Sequence, residues 1–126
     1  MKISISSSDE DDERIVKYVF RAENNDFKGT IEFYGYADIF KQFTDDLFEF
    51  PFESINPVQF NADGLSVKIS LIDPVGRINL NVSIKDDENN FIEFNDTDIE
   101  TEALQRFSSD LSNVDFSKEI SIEWMS

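Results

Sequence analysis

From Leu65 to Ile84 apolar and polar residues alternate almost without interruption. Leu65, Val67, Ile69 and Leu71 share one parity. After Asp73-Pro74-Val75-Gly76, so do Ile78, Leu80, Val82 and Ile84. A period of two belongs to a strand with one face in a core and one in water, and proline second with glycine fourth suits a type I turn. The stretch predicts a β-hairpin. A hairpin apolar on one face is marginal alone and needs further strands or helices over that face.

The flanking sequence supplies both. Lys2–Ser6 reads as a short strand, with Ile3 and Ile5 on one face. Arg14–Glu23 follows with Val16, Tyr18, Phe20 and Ala22 on one face and Lys17 and Arg21 on the other. Asn24-Asn25-Asp26 signals a turn, and Phe27–Tyr36 resumes the alternation, with Phe27, Ile31 and Phe33 together. Val58, Phe60 and Ala62 lead into the turn dipeptide Asp63-Gly64. Asp86–Asn90 closes the central hairpin, Phe91–Asn95 starts another strand, and Ile120, Ile122 and Trp124 alternate near the C-terminus.

In two places the period changes to that of a helix. Ile39, Phe40, Phe43 and Leu47 form one stripe over 38–49, ended by Pro51. Leu104, Phe107, Leu111 and Val114 form another over 102–113, with Thr101 as N-cap and Glu100 and Glu102 at the positive end of the helix dipole. Neighbouring strands joined by tight turns predict α+β: an antiparallel β-sheet of about six to eight strands with two α-helices packed on it. The 126 residues fit one domain, 1–126, with an acidic loop at 9–13.

Composition excludes whole classes of chemistry. There is no histidine and no cysteine, so neither Ser–His nor thiol catalysis is open to the chain. The four glycines form no phosphate-cradling loop. Acidic clusters fall in predicted turns or on polar strand faces, where little tunes a catalytic carboxylate. The chain is therefore read as a non-enzyme without cofactor or metal. Asp96-x-Asp98-x-Glu100-x-Glu102 imitates the start of a calcium loop, but the sixth position lacks glycine and the twelfth is Phe107. No apolar run is long enough to span a bilayer and no secretory h-region is present, which points to a cytoplasmic protein.

Charge gives the positive indication. Eleven basic residues face 27 acidic ones, for a formal net charge of −16. Such a surface repels nucleic acid and anionic membranes and speeds encounter with a basic protein. Candidate contacts are the acidic turns Asp9, Glu10, Asp11, Asp12 and Glu13; Asp45 and Asp46; and Asp86, Asp87 and Glu88. A second surface competes. Residues 45–54, DDLFEFPFES, crowd Phe48, Phe50 and Phe52 around one helix exit. Phenylalanines there are expected mainly to lid the core, since large exposed apolar patches are uncommon on soluble monomers. Phe50 or Phe52 is reserved as an aromatic anchor for a partner.

The element order also resembles a known group. Phe43, Leu47 and Pro51 in the first helix, Asp73, Gly76, Leu80 and Val82 in the hairpin, and Ala103, Leu104, Phe107 and Leu111 in the second helix are similar to the WapI-like bacterial immunity family and its relatives. The similarity spans roughly residues 14–114. It implies a cytoplasmic binding protein that neutralises a toxin domain, and it carries over no catalytic residue. The alternatives are a nucleic-acid mimic that inhibits a DNA-binding protein, whose acids should follow phosphate-like spacing, and a structural interaction protein.

Overall fold

The computed structural model describes residues 1–9, 14–54, 56–73, 77–88, 90–116 and 120–125, with backbone alone for Asp9, Ile120, Trp124 and Met125. The fold is α+β. In order the elements are β1 Lys2–Asp9, β2 Val16–Glu23, β3 Lys28–Gly35, α1 Lys41–Glu49, β4 Val58–Ala62, β5 Leu65–Leu71, β6 Ile78–Lys85, β7 Phe91–Ile99, α2 Thr101–Asn113 and β8 Ile120–Met125. The antiparallel strands divide between two four-stranded sheets, ordered β3-β2-β1-β8 and β4-β5-β6-β7.

The second sheet is built on the predicted hairpin. Leu65 pairs with Ile84, Val67 with Val82, Ile69 with Leu80 and Leu71 with Ile78, so all eight lie on one face. The type I turn expected at 73–76 falls on residues outside the described ones from Pro74 to Gly76. Beside it the Asp73 carboxylate accepts from Arg77 Nε at 2.7 Å and Ile72 N–H donates to the Arg77 carbonyl at 2.8 Å. At Asp63-Gly64 both residues have positive φ, 38° and 92°, as a type I′ hairpin turn demands. A Cβ on Gly64 would also run into the Lys85 carbonyl.

The first sheet joins distant parts of the chain. β1 lies between β2 and the C-terminal β8, with Ile5 opposite both Phe20 and Ile122. Its inner face meets that of the second sheet in one core. β3 crosses the second sheet from β7 towards β4. Gly29 lies against Ile84 and Ile92, where an added Cβ would come within 2.8 Å of Ile92. Farther along, the Phe33 ring lies 5.8 Å from Phe60 of β4. Glycine at position 29 is what lets the two sheets approach so closely. Phe27 does not join this row. It sits in the turn before β3, where the Asn24 side chain accepts from the N–H groups of Asp26 and Phe27, and its ring is 60% exposed.

The helices cover the remaining side of the core. α1 packs against α2 and the edge strand β4, and α2 also meets the edge strand β8. Their buried stripes are Phe43, Thr44 and Leu47, and Ala103, Leu104, Phe107, Ser108 and Leu111. Thr101 is the first helical residue of α2 and not its cap; Glu100 occupies the N-cap without a side-chain cap bond.

Tyr18 sits at the centre of the aromatic packing. Its ring stacks on Phe33 at 5.2 Å and meets Phe40 and Phe116 edge-on, while its hydroxyl donates to the Tyr36 carbonyl at 2.7 Å. Burial, reinforced by the negative charge of Asp38, pushes this hydroxyl up from its ordinary 10.0 to about 12. The fold therefore favours the neutral phenol. Stability from this group is fully present below pH 10.0 and is lost as pH rises towards about 12. Tyr18→Phe is expected to abolish that alkaline loss while sacrificing one hydrogen bond, about 0.5–1.5 kcal/mol at neutral pH. Denaturant midpoints measured against pH check this, and identical profiles for the two proteins contradict it.

Candidate functional site

The sequence-predicted contacts do not converge on one patch. Glu10, Asp11, Asp12 and Glu13 lie outside the described residues, and Asp9 ends β1. Asp86, Asp87 and Glu88 occupy the β6–β7 turn, close to Lys28 and Thr30 at the start of β3. Asp45 and Asp46 lie on α1, which follows the far end of β3. The length of β3, about 23 Å at some 3.3 Å per residue, separates these two groups.

Asp86 is first of all a turn organiser. Its carboxylate accepts from the N–H groups of Glu88 and Asn90, both at 2.9 Å, and from the Asn90 side-chain amide at 3.0 Å. The Asn90 amide is the main reason its carboxyl is held below the usual range, with the two backbone donors adding to the effect. Asp87 and Glu88 remain exposed. Phe91, beside this turn, is also exposed, with Lys28 as a cationic neighbour across the same hollow.

On α1 three of the six side chains that reach water, Asp45, Asp46 and Glu49, are acidic. Lys41 Nζ bonds Asp45 at 2.9 Å, which holds its ammonium above the ordinary lysine value, and Gln42 donates to Asp46 at 2.9 Å. Glu49 and Glu53 have no cationic partner among the described residues. Near the start of α1 an open hollow of about 330 Å³ lies against the end of α2, with Asp38, Lys41 and Asp45 as its charged lining. Thr44 and Ser112 add hydroxyls to that lining, each donating to a backbone carbonyl of its own helix.

The phenylalanine exit is divided by the fold. Phe50, a candidate anchor, is only 1% exposed and belongs to the core. The reason is helical spacing: Phe43, Leu47 and Phe50 stand at i, i+4 and i+7, so Phe50 continues the buried stripe as the C-cap residue. It is not available as a surface contact. Phe52 is 76% exposed and Phe48 59%, both off that stripe. The lid and the patch are thus both present, on different residues.

No family model, curated protein or solved structure matches the chain.

Sequence reasoning missed how the cations are distributed. Lys2, Lys17, Arg21 and Lys28 all project from the outer face of the first sheet, opposite its buried rows. There Lys2 pairs with Glu23 and Glu123, Lys28 with Glu23, and Lys17 with Glu32. The outer face of the second sheet is mostly uncharged, with Lys68, Lys85 and Glu93 as the charges on its paired strands. Gln59, Asn61 and Ser66 bond one another there, beside Lys68, Asn79, Asn81 and Ser83. The negative charge is consequently concentrated on the turns and helices. The signal was available in the sequence: the outward parity of each strand carries it as plainly as the inward parity carries the core.

The acids at 96–102 do not form a loop. Leu80 pairs with Asp96 and Ile78 with Ile99, so Thr97 and Asp98 together oppose Asn79 in a bulge. The Asp96 carboxylate accepts from Asp98 N–H at 3.0 Å and lies 3.8 Å from the Met1 amine. Among the described residues no group of three or more Asp or Glu side chains is set to hold a metal ion. No helix among them is long and apolar enough to cross a membrane.

Proposed function

We propose that this protein is a non-catalytic binding module that recognises a basic protein through its acidic surface, as a cytoplasmic immunity protein would neutralise a toxin domain. The observation that carries this reading is the segregation of charge. On the first sheet Lys2, Lys17 and Lys28 are engaged in cross-strand pairs, while Asp46 and Glu49 of α1 and Asp87 and Glu88 of the β6–β7 turn have no cationic partner among the described residues. A net charge of −16 so placed steers a basic surface towards α1 and the turns. Nucleic-acid mimicry finds no support in a regular row of carboxylates among the described residues. The test is to recover the partner from the native cell on immobilised protein and determine its contact surface. A basic surface, with loss of the partner's own activity on binding, is expected; an acidic contact surface contradicts the reading.

A further inference from the structure

We infer that the contact is centred on Phe48 and Phe52, and that its occupant is an arginine-bearing segment of a basic protein; this rests on the reading just given. Phe48 leaves the last turn of α1 and Phe52 the turn that follows, and both rings stand mostly in water. Their backbone is fixed. Phe50 N–H donates to the carbonyls of Asp46 and Leu47, Glu53 and Ser54 N–H donate to the Glu49 carbonyl, and the buried Phe50 ring ties the segment to the core. Two exposed aromatic rings on an ordered backbone form an anchor that loses little conformational freedom on binding.

The chemistry of the occupant follows from the surroundings. From 45 to 53 the sequence supplies Asp45, Asp46, Glu49 and Glu53 and no cation. The nearest in sequence, Lys41, is held by Asp45. A guanidinium can stack on a phenyl face and donate to a carboxylate at its edge, and it gives up water more easily than an ammonium. The other exposed rings are less suited. Phe27 adjoins Lys28, and Phe91 shares its hollow with that same lysine. Phe48 and Phe52 are the exposed phenylalanines whose charged neighbours in sequence, from 45 to 53, are all acidic.

The test uses the whole protein and two synthetic probes: a peptide of arginines spaced around one tryptophan, and an oligo-arginine peptide without it. Backbone amide shifts are followed during titration at low salt. The tryptophan peptide is expected to move amides across 45–54, and the Phe48→Ala/Phe52→Ala double variant to bind it about tenfold or more weakly. Oligo-arginine should also lose affinity in that variant, though less, because its guanidinium groups stack on the same two rings. Because both rings are exposed, the variant should keep the wild-type unfolding midpoint, which separates lost binding from lost folding. Peptide shifts confined to Asp86–Glu88, or equal affinity for the double variant, would overturn the inference and leave the acidic-surface reading standing. Absence of binding by both peptides at any site would overturn both. A wild-type dimer that becomes monomeric in the double variant would assign the rings to a second copy of this chain and also overturn it.

Discussion

Phe50→Ala is expected to destabilise the protein by about 3–5 kcal/mol, whereas Phe52→Ala, two residues later, should shift stability by less than about 0.5 kcal/mol. Both are phenylalanines flanking the same proline, and composition does not separate them. Burial does. Phe50 is 1% exposed and Phe52 is 76% exposed. Removing the first ring leaves a void at the end of α1, where Phe43 and Leu47 continue the same stripe. Removing the second exposes nothing that was covered. Urea midpoints for the two variants measure the contrast. Equal shifts would mean that the helix exit packs differently from the arrangement described.

A second large loss is expected at the meeting point of both sheets and both helices. Leu80→Ala and Phe107→Ala should each cost about 2–5 kcal/mol, as buried large-to-small changes do. Leu80 belongs to the β5–β6 hairpin and Phe107 to α2, yet they border one small residual space of about 10 Å³ with Ile3, Phe20, Phe43 and Phe60. So little free volume shows that neighbouring side chains already fill the interior and that a truncation cannot be hidden there. Because they border the same space, the two losses should not simply add, and the double variant measures their coupling. Unchanged denaturant midpoints for both single variants would rule out this packing.

The parts of the fold legible in the sequence were those set by local periodicity. The row from Leu65 to Ile84 predicted the hairpin and its inward face, and the observed register keeps every one of those side chains on that face. The stripes of α1 and α2 were visible for the same reason at the helical period. Periodicity does not say which strands pair at long range. The alternation at Ile120–Trp124 gave a strand, but not its place beside β1, nor the division of the strands between two sheets. Phe27 was assigned to a strand row because its parity fits; the Asn24 side chain bonds the local backbone and makes it a turn residue. The bulge at Asp96–Asp98 was hidden because an extra residue in an edge strand leaves composition unchanged. Of the candidate residues, Asp86–Glu88 could be read directly as a turn. Phe50 was misplaced because its i+7 relation to Phe43 extends past the last helical residue, Glu49.

On the function proposed above, Asp46 and Glu49 of α1 and Asp87 and Glu88 of the β6–β7 turn draw in a basic partner through their field. Fields of this kind act across a Debye length, about 10 Å at 0.1 M salt and about 3 Å at 1 M. Association rates with the cognate partner, measured by stopped flow from low to high ionic strength, test the claim most directly. A steep fall is predicted, with dissociation rates changing far less. Association rates that stay flat across that range would contradict it.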